Sequence, residues 1–107
     1  MPKPILVGYQ TVRVDASRSD VARGRGLLGR FAAREGFALV GIFVERDVNR
    51  PGSALVALIE TARRGGVSAI AVPTPADLGS LARVQRLTRE RLERETGLRV
   101  LIVESPQ

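Results

Sequence analysis

Apolar residues fall along this chain in four short continuous runs, separated by three longer stretches in which they recur every third or fourth position. The first run, PILVGY at 4–9, predicts a buried strand, with the pattern restarting at VRV, 12–14. DASRSD, 15–20, is dense in turn and capping residues, and Ser19 is the expected helix cap. From Ser19 to Glu35 the residues Val21, Leu28, Phe31 and Ala32 share one helical face, and Gly36 is a natural stop. FALVGIFV, 37–44, reads as the second strand and ERDVNR, 45–50, as a polar loop. Pro51 suits the first turn of a second helix, whose stripe is Leu55, Leu58, Ile59 and Ala62 and whose end is RRGG. VSAIAV, 67–72, is the third strand and PTPADLGS, 73–80, a loop. A highly charged third helix spans 81–96, Gly97 closes it, and LRVLIV, 98–103, is the fourth strand.

Strands alternating with helices of this length predict an α/β fold. The expected form is a three-layer α/β/α domain with a mostly parallel four-stranded sheet and right-handed crossovers. Near-continuous apolar strands fit a sheet covered on both faces. With 107 residues the chain is read as one domain, 1–107, large enough for a single core.

Composition narrows the chemistry. There is no Cys and no His, so thiolate chemistry, the usual general base and the commonest metal ligand are all missing. No metal or other cofactor is expected. The start lacks an apolar signal core and no run approaches a membrane span, which suggests a cytoplasmic protein with no membrane partner. The net charge is +6, carried by sixteen Arg and one Lys against eleven acids. Such a surface favours phosphate-rich partners, although an Arg-heavy composition is also a product of coding bias.

GRGLLG, 24–29, has the G-x-G-x-x-G spacing of dinucleotide loops, and Glu45, 21 residues past Gly24, stands where a ribose ligand would. The flanking apolar spacing, however, places Gly24, Gly26 and Gly29 inside the first helix. Amides there bond to carbonyls one turn back and cannot cradle a pyrophosphate. The polar segment before Gly24 joins a strand to a helix N-terminus, the place where open α/β sheets carry their ligands.

Three stretches give the chain a family likeness. LVGYQTVRVDAS is similar, with a two-residue insertion, to an opening strand reading glycine-tyrosine, then arginine-valine-serine. NRPGSALVALIETARRGGVSAIAV is similar to an arginine-proline, leucine-rich helix and its following strand. PADLGSLAR stands at the place of an Asp-Arg-Leu-Gly-Arg motif. Together they resemble the catalytic domain of the serine recombinases, the resolvase and invertase family, over nearly the whole chain. The resemblance implies that family's fold, and an ancestry in which a serine hydroxyl attacks a DNA phosphodiester while arginines hold the phosphate.

The matching positions depart from that chemistry. Asp15 follows Arg13-Val14 where the nucleophilic serine belongs, and the third motif becomes Ala76-Asp77-Leu78-Gly79-Ser80. Only Arg13 and Arg50 match the family's basic positions. Phosphoryl transfer needs cations around the equatorial oxygens, one such arginine being worth roughly 10³–10⁵ in rate, and Asp15 and Asp77 would repel the phosphate. No catalytic residue is therefore expected. Asp15, Arg13, Asp77, Arg50 and Ser80 are expected to gather at the edge of the former active site. The alternatives are an active recombinase with a shifted nucleophile, Ser17 or Ser19, a phosphotransferase built on Asp15, or a small nucleotide-binding domain that uses the glycine stretch.

Arg23, Arg30 and Arg34 share one stripe of the first helix, and Arg13, Arg18 and Arg25 extend it. The stripe reads as an ordinary solvated face or, functionally, as a contact surface for DNA backbone phosphates. In the third helix Arg83, Arg86, Arg89, Arg91 and Arg94 alternate with Glu90, Glu93 and Glu95. Pairs such as Glu90–Arg94 have the spacing for i,i+4 support, and a partner helix could dock on that surface. The family's helix-turn-helix and long dimerisation helix are not read in these residues. The expectation is a catalytically inactive recombinase-like interaction module, with a second copy of itself and sequence-independent nucleic acid as the partners to test.

Overall fold

A computed structural model describes residues 2–46 and 52–104. Four strands, β1 (Ile5–Thr11), β2 (Ala38–Glu45), β3 (Ala69–Val72) and β4 (Arg99–Ile102), alternate with helices α1 (Arg18–Glu35), α2 (Ser53–Arg63) and α3 (Ala82–Thr96). All three strand pairings are parallel, in the order β2-β1-β3-β4. The expected α/β fold is thus realised with a wholly parallel sheet.

Two apolar clusters explain the layering. On one face Leu28 and Ala32 of α1 pack on Leu6, Ala69 and Ala71. On the other, Leu55, Leu58 and Ile59 of α2 and Leu92 of α3 pack on Val7, Tyr9, Ile70, Val72 and Val100. Successive residues of β1 therefore serve opposite layers, as a strand's two-residue period dictates. Both sheet edges carry a local feature. In β2 the register shifts opposite Leu6 and Val7, leaving Val40 unmatched and 62% exposed. In β4 the Val100 amide donates to the Glu93 carboxylate at 3.0 Å.

Some boundaries differ from expectation, each for a local reason. β1 runs on to Thr11, and the Val12 amide still reaches the Glu45 carbonyl at 2.7 Å, so there is no separate restart. Ser17, not Ser19, caps α1. Its Oγ accepts from the Asp20 amide, and the Asp20 carboxylate accepts from the Ser17 amide in return. This reciprocal box satisfies two helix-end donors, whereas Ser19 lies inside the first turn. The loop at 73–80 contains a 3-10 turn, Pro75–Leu78. Pro51, expected in the first turn of α2, lies outside the described residues.

Candidate functional site

In the strand order β2-β1-β3-β4 the chain leaves β1 and β3 towards opposite edges of the sheet. A crevice therefore opens at their carboxyl ends, the position where open α/β sheets bind ligands. A cleft of about 440 Å³ lies there. Its wall includes Gln10, Thr11 and Arg13 from the end of β1, Arg23 from α1, and Thr74 and Asp77 after β3.

Asp77 closes the floor. β1 and β3 pair only from Leu6–Ala69 to Gly8–Ala71, and beyond that the strands diverge. The Asp77 side chain bridges the gap. Its Oδ1 accepts from the Thr11 amide at 2.8 Å and its hydroxyl at 3.4 Å, while Oδ2 accepts from the Thr74 amide at 2.9 Å and its hydroxyl at 3.0 Å. Burial pushes the Asp77 carboxyl above its ordinary range, against the pull of these four donors. Burial, then Glu45 and Asp77, likewise raise the Tyr9 phenol well above the usual range.

The other acids and hydroxyls at this end of the sheet are similarly engaged. Glu45, buried at the end of β2, accepts from the Gly52 amide at 2.9 Å and the Leu55 amide at 3.3 Å. It supplies the cap that Gly52 has no side chain to provide for α2. Both bonds fall on Oε1, which commits that oxygen to the start of α2. The Ser17 hydroxyl lies 2.9 Å from that of Ser19 and 3.0 Å from the Asp20 carboxylate. Hydrogen bonds from the Ser17 amide, and then its hydroxyl, hold the Asp20 carboxyl below its usual range.

Of the five residues expected to gather at the former active site, the cleft brings together Arg13 and Asp77. Asp15 pairs with Arg13 at 3.3 Å, but both side chains are largely solvated, and Asp15 is not part of the wall. Ser80 is exposed beyond Gly79 and Ala76 is exposed on the 3-10 turn, neither contributing to the wall. Arg50 lies outside the described residues. Among the described residues, no group of three acids gathers as a metal ligand set.

Gln10 has no counterpart in the sequence expectations. Its side chain is buried at 3% exposure, with Nε2 donating to the Val21 carbonyl at 3.2 Å and Oε1 without a partner. It rests against Gly24, where a Cβ would come within 2.3 Å of Nε2. All three glycines of the G-x-G-x-x-G stretch lie within α1, as its periodicity predicts, and Gly24 is there because Gln10 occupies the space a side chain would need. Nothing lies within 4 Å of a Cβ at Gly29, and Gly26 faces only the flexible end of Arg30.

The arginines separate into two groups. Arg34 lies over the Phe31 ring at 5.8 Å and pairs with Glu35 at 3.5 Å. Arg18, Arg23, Arg25 and Arg30 are exposed. Among the described residues none of these four has an acid within ion-pair distance. In α3 the expected Glu90–Arg94 pair does not form. Arg89–Glu93 and Arg91–Glu95 form instead, at 3.7 and 2.6 Å.

No protein-family model and no curated protein matches the sequence. Solved structures do match it in fold. The catalytic domain of ISC1926 TnpA, an IS607-like serine recombinase, superposes with a TM-score of 0.78 at 17% identity, over 96% of this chain and 72% of that one. The N-terminal catalytic domain of TP901-1 integrase gives 0.70 at 13% identity, over 92% of this chain and 76% of that one. A serine recombinase from Sulfolobus solfataricus gives 0.59 at 14% identity, over 100% of this chain and 71% of that one. Identities this low speak for the fold alone. In fold, this chain is similar to the catalytic domains of serine recombinases.

Proposed function

We propose that this domain keeps the recombinase fold without the strand-cleaving chemistry and acts as a binding module that contacts the nucleic acid backbone. One observation carries the first half. The side chains of Asp77 and Asp20 in the crevice wall, and of Ser17 and Glu45 outside it, accept hydrogen bonds from the fold's own donors, chiefly backbone amides. Among the described residues of the crevice wall no hydroxyl stands free beside converging arginines, since those of Thr11 and Thr74 bond to Asp77. A shifted nucleophile at Ser17 would have to leave its capping box, and Ser19 shares the same hydrogen-bonded cluster. A continuous β1 supports the same reading. Laid on it without an insertion, the family's opening pattern puts Thr11 at its arginine and Arg13 at its serine. With the insertion the serine position is Asp15. Neither register offers a hydroxyl.

The second half rests on charge. Residues 13–35 hold six arginines against three acids. Arg23 at the mouth of the cleft and Arg30 lie about 10 Å apart along α1, at roughly 1.5 Å per residue. Unpaired guanidinium groups at that spacing suit phosphate contacts that carry no sequence information.

Titrating labelled duplex DNA with the chain at several salt concentrations tests both halves. The expected result is binding whose log–log salt slope flattens by about one on Arg23→Ala and again on Arg30→Ala, with no covalent adduct. Absence of binding at low salt would remove nucleic acid as a partner. A trapped protein–DNA adduct lost on Ser17→Ala would restore the enzyme reading.

A further inference from the structure

One half of the Gln10 carboxamide is accounted for by the fold and the other half is not. Nε2 is held by the Val21 carbonyl, which fixes Oε1 as an acceptor. Among the described residues Oε1 is the only buried side-chain polar atom without a partner. Such atoms are few in folded proteins, because each costs free energy. Gln10 and Gly24, against which its carboxamide rests, both belong to the wall of the cleft. The rest of that wall has two characters. Val12, Ala16 and Pro73 are apolar, while Arg23 is exposed and, among the described residues, has no acid within ion-pair distance. Asp77, on the floor, repels an anion from the inner end. The matching ligand has an N–H donor at its inner end, an apolar body and an anionic group at the mouth.

We propose that the cleft holds one nucleoside monophosphate unit, its base against the apolar wall with an N–H donating to Gln10 Oε1, and its phosphate on Arg23. The cleft volume of about 440 Å³ suits such a ligand. Every base carries an N–H on its pairing edge, so a single acceptor takes any of them. In a duplex that edge is engaged by the complementary strand. The unit therefore comes from solution or from an unpaired stretch of a strand. Its phosphate contact rests on the backbone reading above, whereas its base contact rests on Gln10 alone.

Fluorescence titration of the whole chain tests this with a short labelled single strand, the same strand made abasic, and its duplex. Free deoxynucleoside monophosphates and inorganic phosphate serve as competitors. At equal salt the single strand should bind at least about tenfold more tightly than the abasic strand or the duplex, a fair return for one satisfied buried acceptor. Displacement by monophosphates but not by inorganic phosphate assigns the unit to solution as well; no displacement assigns it to the strand alone. Gln10→Leu, which removes the acceptor, should reduce the base preference to about twofold or less. Because Gln10 also ties β1 to α1, Ala16→Leu provides a second variant that narrows the cleft from the loop before α1, with the same expected loss. Thermal melts identify which variants are folded. Equal affinity for single strand, abasic strand and duplex would overturn the base site and leave backbone contact standing, as would a full base preference in either folded variant. Binding of monophosphates without binding of any strand would overturn backbone contact and leave the site standing. No binding of any probe would overturn both.

Discussion

The carboxamide of Gln10 lies against Gly24, so close that a Cβ on residue 24 would sit 2.3 Å from Nε2 and 2.6 Å from Cδ. Strand β1 and helix α1 are therefore matched at this point by the absence of a side chain. From this position Gln10 Nε2 donates to the carbonyl of Val21, three residues before Gly24.

The two outer glycines of α1 should respond to alanine with opposite signs. Gly24→Ala forces Gln10 out of its hydrogen bond and should cost about 1–3 kcal/mol, as overpacked sites do. Gly29→Ala meets open space in a helix interior and should add about 0.5–1 kcal/mol. Urea denaturation of both variants decides the matter, and destabilisation of equal size would show that neither position is governed by packing.

Asp77 makes a pH signature. Its folded pKa lies above its unfolded value, so the native state holds the proton more tightly. The resulting stability is fully present below the unfolded pKa and is lost as pH rises through the folded one. Wild-type stability measured relative to Asp77→Asn should therefore decline with rising pH across the acid range. A difference that grows with pH would place the carboxyl below its ordinary range instead.

Glu45 should behave as a helix cap. Glu45→Ala leaves the Gly52 and Leu55 amides without their acceptor, at a cost of about 0.5–2 kcal/mol. Amide exchange at Gly52 and Leu55 should quicken with it. Unchanged exchange there would mean that water replaces the carboxylate without loss.

Ser17 and Ser19 differ in the same measurement. Ser17→Ala removes the acceptor for the Asp20 amide and should lower stability by about 1 kcal/mol, while Ser19→Ala should change it by less than half as much. Equal effects would argue against Ser17 as the cap.

Much of this architecture was legible because its signals are local. Alternating apolar runs and helical stripes are enough to order the strands and helices, and a parallel sheet follows from the helices between them. The capping errors were legible too. Ser17-x-x-Asp20 has the spacing of a capping box, and Ser19 has no acid three residues on. Thr74-Pro75-Ala76-Asp77 repeats that spacing, yet against a recombinase motif Asp77 reads as an acid aimed at phosphate, not as a bridge between two strand ends. The Gln10–Gly24 contact was different in kind. It joins residues fourteen apart through the crossing of a strand and a helix, and no periodicity records it. Glu45 was visible as a buried strand's terminal acid, but its partners depend on where α2 begins.

The carboxylate of Glu93 on the outer amide of β4, and the unmatched Val40 in β2, have a consequence for how copies of this protein can meet. One border of the sheet has a donor already taken, and the other is bent out of register, so neither is a good template for an added strand. Growth of one sheet into the next, the usual hazard of exposed parallel strands, is blunted at both ends. Contact between molecules is thereby steered towards helix surfaces, where it can close on itself and stop.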